Sequence, residues 1–145
     1  MADNSKRPLS PHLQVYRWGP HMLISILHRA TGDGMAVVGS LLLLWWLGAA
    51  ATSGTAYDNF IGVVWQQAGA DSLSIANWLG RIVLVGLTYA FFQHAASGLR
   101  HLLLDTGAGY ELKSNRTWSI VVAVLPAVLT AMLWIYIYFG ALIHG

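Results

Sequence analysis

Histidine is expensive to keep in hydrocarbon, and His94 lies inside a long apolar run, at the head of the segment His94-Ala-Ala-Ser-Gly-Leu-Arg-His-Leu-Leu-Leu-Asp105. Ionisable groups at such positions face a cavity or a partner and usually do chemistry. At helical spacing His94, Gly98, His101 and Asp105 share one face. His94 falls near mid-depth, with His101 and Asp105 progressively nearer one end. A mid-membrane imidazole with a glycine one turn later offers a metal ligand beside a gap, which is what a flat macrocycle against a helix needs. Haem iron takes axial histidine readily. Two haems stacked on this helix would need ligands further apart than the roughly 10 Å between His94 and His101. The spacing therefore points to one haem ligated by His94, with His101 placed for a propionate or a quinone. One helix cannot supply both faces of the iron. His28, the main candidate elsewhere in the chain, is expected too near the surface to oppose His94, so the second axial ligand is expected from another chain. The plainer alternative is that His94 hydrogen-bonds a neighbouring helix, because polar side chains also hold membrane helices together.

A second cluster, Ser25, His28, Arg29 and Gly32, repeats the spacing of three and four residues. It is expected to lie level with His101 rather than with His94. Hydroxyl, imidazole and guanidinium together could hydrogen-bond a quinone carbonyl, with Arg29 favouring the negative charge that develops on reduction. The ordinary alternative is that Arg29 snorkels and pairs with Asp33 while Ser25 bonds its own helix backbone.

Both clusters need membrane-spanning helices to hold them. The 145 residues are 56% hydrophobic and 10% charged, far too apolar for a small soluble domain. Apolar stretches from about Ser25 to Ala51, Trp78 to Leu104 and Trp118 to Ile143 each exceed the roughly 20 residues that cross a hydrocarbon core. The expected fold is an all-α membrane protein of a single domain, with transmembrane helices over about 22–51, 78–104 and 118–143 and an N-terminal segment 1–20 on the cytoplasmic or matrix side. Pro126 should kink the third helix without dividing it. With no cysteine, the chain offers no disulfide, thiolate metal site or iron–sulfur cluster.

Charge placement gives the orientation. Lys6, Arg7 and Arg17 precede the first span, and Arg100, Lys113 and Arg116 bracket the second loop, whereas the first loop holds only Asp58 and Asp71. The positive-inside rule then puts the N-terminus and the second loop in the cytoplasm. Arg81, near the outer end of the second span, is expected to snorkel to the interface. Pro8, Pro11 and Pro20, interleaved with Leu9, Leu13, Tyr16 and Trp18, read as an extended surface segment that ends where a helix begins at Pro20. The start of the chain fits neither a cleavable signal nor a transit peptide, which favours a bacterial inner membrane over a mitochondrial one.

Three runs together are specific: Arg7-Pro-Leu-Ser-Pro-His-Leu13, Ser25-Ile-Leu-His-Arg-Ala-Thr-Gly32, and the His94 to Asp105 segment. In order, spacing and three-helix plan the chain resembles the cytochrome b membrane-anchor subunit of succinate dehydrogenase, the succinate:quinone oxidoreductase known as complex II. The resemblance implies that the fold is half of a heterodimeric haem-binding bundle and that His94 is the axial ligand of one haem b shared with a second small membrane subunit. It further implies that Ser25 and Arg29 line a ubiquinone site and that His28, Arg29 and His101 lie near the haem propionates. Asp105, on the stripe of His94 and His101, is a candidate for proton handling. A flavoprotein subunit and an iron–sulfur subunit would dock on this anchor and carry out the succinate chemistry. Two other readings stay open: a haem-free anchor in which His94 is structural, and a small proton-conducting transporter subunit using His94, His101 and Asp105 as a relay.

Overall fold

The computed structural model describes residues 18–65 and 75–144. The proline-punctuated segment up to Arg17, including the Arg7 to Leu13 motif, and Asp71 lie outside the described residues. Among these residues five α-helices are present, α1 (Pro20–Gly34), α2 (Ser40–Thr52), α3 (Gly54–Val64), α4 (Ile75–Asp105) and α5 (Leu112–His144), with a π-helical turn, Met35–Gly39, joining α1 to α2. Three of the described stretches are long and apolar enough to cross a membrane: Pro20–Thr52 with 33 residues, and Asn77–Asp105 and Leu112–Gly140 with 29 each. At about 1.5 Å per residue each exceeds a hydrocarbon core of about 30 Å.

Each helix start has a local cause. Pro20 occupies the first turn of α1, where its missing N–H costs nothing. Ser53 caps α3, accepting a hydrogen bond from the Ala56 N–H at 3.2 Å. The third span runs further back than its apolar stretch, because α5 begins at Leu112 rather than near Trp118. Hydropathy marks the thickness of lipid, and the polar turns from Lys113 to Thr117 extend the same helix into the headgroup layer. Pro126 is fully buried within α5, which continues past it. The proline removes one helix N–H, and nearby the Thr130 hydroxyl donates to the Pro126 carbonyl at 2.7 Å.

The packing is that of a membrane bundle. Leu41, Leu44, Ile82, Phe91, Leu99, Met132 and many other large apolar side chains are exposed, whereas Thr31, Gln93, Ser97, Ser119 and Thr130 are buried. Lipid solvates the first set, and the polar groups turn inward to find partners. α1, α4 and α5 pack on one another, while α2 packs on α3 and makes no helix contact with α4 or α5 among the described residues. A π turn holds one residue more than an α turn and redirects the helix that follows it. α3 fills the angle left between α2 and α4, burying Phe60 and Val64 against Ala49, Leu42 and Leu84.

Sequence reading treated the first loop as a plain connection, and α3 is a correction to that. Its signal was present in Tyr57, Phe60, Ile61 and Val64, which recur at helical spacing behind a serine cap. Near the start of α4 the Arg81 guanidinium lies over the Trp65 ring at 5.3 Å and the Trp78 ring at 5.7 Å.

The end of α3 lies directly on α4 at Gly80, where a Cβ would sit 2.8 Å from both Cα and O of Val64. Backbone cannot give way as a side chain can. Gly80→Ala is therefore expected to lift α3 from α4 at a cost of about 1–3 kcal/mol, seen as faster amide exchange across Gly54–Val64 with exchange in α5 unchanged.

Candidate functional site

The site is built where α1 crosses α4. The imidazole rings of His28 and His94 stack with centroids 4.0 Å apart and planes within 10°. His101 meets His28 edge-on at 5.2 Å. Gly32 permits this approach. A Cβ there would come within 2.9 Å of His94 Cε1, so the His94 ring occupies the space that any side chain at 32 would need. A Cβ on Gly98 would meet His28 Cε1 at an ordinary 3.8 Å.

Hydrogen bonds fix the proton on both stacked rings. His94 Nδ1 lies 3.1 Å from the backbone carbonyl oxygen of His28. A carbonyl only accepts, so Nδ1 carries the hydrogen and Nε2 keeps its lone pair. His28 Nδ1 lies 2.7 Å from the Ser97 hydroxyl. That hydroxyl already donates its one proton to the carbonyls of Gln93 and His94, at 2.7 and 3.1 Å. Ser97 therefore accepts from His28, whose Nε2 in the neutral ring also keeps a lone pair. The polar ladder continues along α4, where the Tyr89 hydroxyl donates to Gln93 Oε1 at 3.3 Å.

A ring held in this way suits a metal ligand. A ligating histidine typically donates its other N–H to a carbonyl or carboxylate, which fixes the ring and raises its basicity, and His94 is held in that manner. His28 lies face to face with His94, so the two rings do not aim their Nε2 atoms at one another. No group of three or more histidine or acidic residues is poised to hold a bare metal ion among the described residues.

The structure corrects one sequence expectation and divides the candidate residues. His28 is not level with His101 alone, because its ring reaches His94, His101 and Gly98 together. The depth estimate failed because hydropathy does not set how far α1 slides along α4, and packing puts the His94 ring against Gly32, one turn beyond His28. Space beside Gly98 is accordingly filled by His28 rather than left open. Ser25 is half-buried on α1, and Arg29 is exposed one turn later. Asp105 is exposed at the last turn of α4. Neither Arg29 nor Asp105 is drawn into the stacked imidazoles by a hydrogen bond or an ion pair, and the alternative Arg29–Asp33 pair does not form. Ser97 was missed from sequence. Its signal was a hydroxyl three residues after His94, beside the histidine stripe in the middle of an apolar span.

Comparison with known proteins places this geometry. Residues 3–136 match the family model described as the succinate dehydrogenase/fumarate reductase transmembrane subunit. The chain is 41% identical over 139 residues to the succinate dehydrogenase cytochrome b556 subunit of Paracoccus denitrificans, spanning 92% of this chain and 98% of that one. It is 36% identical over 132 residues to the b556 subunit of Rickettsia felis, spanning 90% of this chain and 93% of the other. The similarity extends to the mitochondrial cytochrome b560 subunit of Homo sapiens, 31% identical over 128 residues, or 88% of this chain and 69% of the human one.

Ser97→Ala removes the acceptor that His28 Nδ1 has among the described residues while leaving the backbone intact. An unsatisfied buried donor costs about 1–3 kcal/mol. Thermal unfolding of the detergent-solubilised protein is expected at a lower temperature for this variant, and Ser97→Thr, which keeps the hydroxyl, should restore most of the loss.

Proposed function

This chain belongs to the succinate dehydrogenase/fumarate reductase transmembrane-subunit family, and from that premise we propose that it is the haem b-binding anchor of a succinate:quinone oxidoreductase. His94 supplies one axial ligand through Nε2. The observation that carries this assignment is the His94 Nδ1 bond to the His28 carbonyl, which fixes the tautomer that metal ligation requires. A bound haem would supply a one-electron centre within the membrane. His28 lies face to face with His94, so a second ligand would come from another small membrane subunit, and this chain would form half of a shared bundle. The many exposed apolar side chains of α4 and α5 leave ample surface for that subunit and for lipid.

The chain's own residues do the remaining work. His101, exposed on the same face one turn beyond Gly98, stands where it can donate a hydrogen bond to a propionate, with the His28 ring beside it at 5.2 Å. Ser25 and Arg29 line the ubiquinone site from α1. Reduction of a quinone to a quinol takes two electrons and two protons, and negative charge develops on the carbonyl oxygens before protonation. A guanidinium favours that charge, and a hydroxyl donates to the other lone pairs of the same oxygen. Arg29 is exposed, and among the described residues its donors are uncommitted, which suits a group that must meet a ligand. Asp105, at the cytoplasmic end of α4, is placed to exchange protons with solvent.

The excess of Lys and Arg around the N-terminus and the second loop supports a multi-pass topology with the N-terminus in the cytoplasm of a bacterial inner membrane. That face would dock the iron–sulfur subunit, which delivers electrons, and through it the flavoprotein subunit that oxidises succinate. The chain itself does no succinate chemistry.

Two substitutions test the proposal. His94→Leu should abolish the reduced-minus-oxidised b-type spectrum of the purified complex while the chain remains inserted; unchanged haem content would exclude His94 as the ligand. Arg29→Leu removes a charge-assisted hydrogen bond, so quinone reduction should fall about 10- to 100-fold. Transfer to a soluble dye acceptor should be unaffected, and equal loss with both acceptors would point to failed assembly instead.

A further inference from the structure

On the face of α4 turned away from His94, a cavity of about 420 Å³ opens between α4 and α5. Its walls are apolar, with Ala96, Leu99 and Leu103 on α4 facing Trp118, Val121 and Leu125 on α5. Its cytoplasmic end is different, because Arg100, Ser114 and Asn115 border it there. Arg100 is 8% exposed. Its guanidinium donates to Asn115 Oδ1, a neutral acceptor, while its Nε is buried without an acceptor. A buried cation whose bonding partner is a neutral amide calls for an anion, since desolvated charge is costly unless paired. The same end receives the first turn of α5, a 33-residue helix whose N-terminal N–H groups also favour negative charge. Lys113 and Arg116 lie in the first turns of α5 as well, against Glu111 just before it.

We infer that this cleft binds one anionic phospholipid, its phosphate beside Arg100, Ser114 and the start of α5, and one acyl chain lying between α4 and α5. Charge and shape select this occupant. From Asn115 to Leu125 the apolar wall descends about 15 Å along α5, from the headgroup layer into hydrocarbon. An alkyl chain fits a space of about 420 Å³, whereas two turns of a partner helix about 10–12 Å across do not. Basic pockets between transmembrane helices on the cytoplasmic side suit anionic headgroups on general electrostatic grounds. The site is independent of the haem and quinone assignments, because it lies on the opposite face of α4.

The test uses the intact membrane complex, delipidated in mild detergent and exchanged into vesicles of phosphatidylglycerol or of phosphatidylcholine. Lipid retained after repurification is then counted by native mass spectrometry. Phosphatidylglycerol should be retained in preference to phosphatidylcholine. Ser114→Glu, which places a carboxylate beside Arg100 without removing it, should cut that retention about fivefold, the equivalent of one basic residue's attraction for an anionic lipid. Arg100→Gln should do the same where the complex still assembles. Equal retention of the two lipids, or retention unchanged in Ser114→Glu, overturns the inference. So does a photo-crosslinker at Leu103 that captures a protein subunit rather than a lipid.

Discussion

An imidazole N–H inside hydrocarbon must find an acceptor, and the His28 carbonyl provides one for His94 at 3.1 Å. Much of the inner half of the bundle follows from that bond. A side chain of α4 can reach the backbone of α1 only if the two helices approach closely, and Gly32 makes the approach possible by leaving room for the His94 ring. Once the helices are that near, the His28 ring has nowhere to lie except against His94, and its own N–H must be satisfied in turn. Ser97 does this, and passes its proton to carbonyls within α4. Each partner is obliged by the previous one, because none can turn to water.

At the other end of the bundle, packing decides instead. There α2 has left the neighbourhood of α4, and the angle is closed by a short amphipathic helix instead of a longer span. Phe60 and Val64 bury their side chains in the wedge, and Gly80 lets the end of α3 rest on α4. Trp65, Trp134 and Tyr138 complete this end, with ring centroids about 6 Å from one another, in the amphipathic setting that such rings favour. The described residues thus form a polar, hydrogen-bonded end around His28 and His94 and an aromatic end around Trp65, joined by spans whose exposed sides carry aliphatic and aromatic side chains.

The three spans could be read directly from sequence, since nothing but a membrane accommodates apolar runs of that length. The grouping of His94, Gly98 and His101 was equally readable, because helical periodicity places them on one face and the structure brings all three to His28. The depth of His28 was not readable, because it depends on how the side chain leans and on how far α1 slides past α4. Ser97 was overlooked because a hydroxyl in a membrane helix usually bonds its own backbone; this one does so and accepts from His28 as well. The amphipathic pattern of α3 could have been seen, but its eleven residues are too few to span and were absorbed into a loop.

The π turn at Met35–Gly39 carries a consequence for the geometry of the whole first span. With one residue more per turn than its neighbours, it sets the two halves of the helix out of phase by roughly 100°. The stripe that begins with Ile24, His28 and Thr31 therefore does not continue in register into α2, whose buried Ala49 looks toward α3 rather than toward the imidazoles. Insertions and deletions in this stretch are accordingly not equivalent to substitutions. Loss of a single residue from the turn would restore an even winding and rotate all of α2 about its axis, presenting a different edge of the helix to Phe60. The spacing between the inner cluster and the outer wedge is thus encoded as an angle as well as a length.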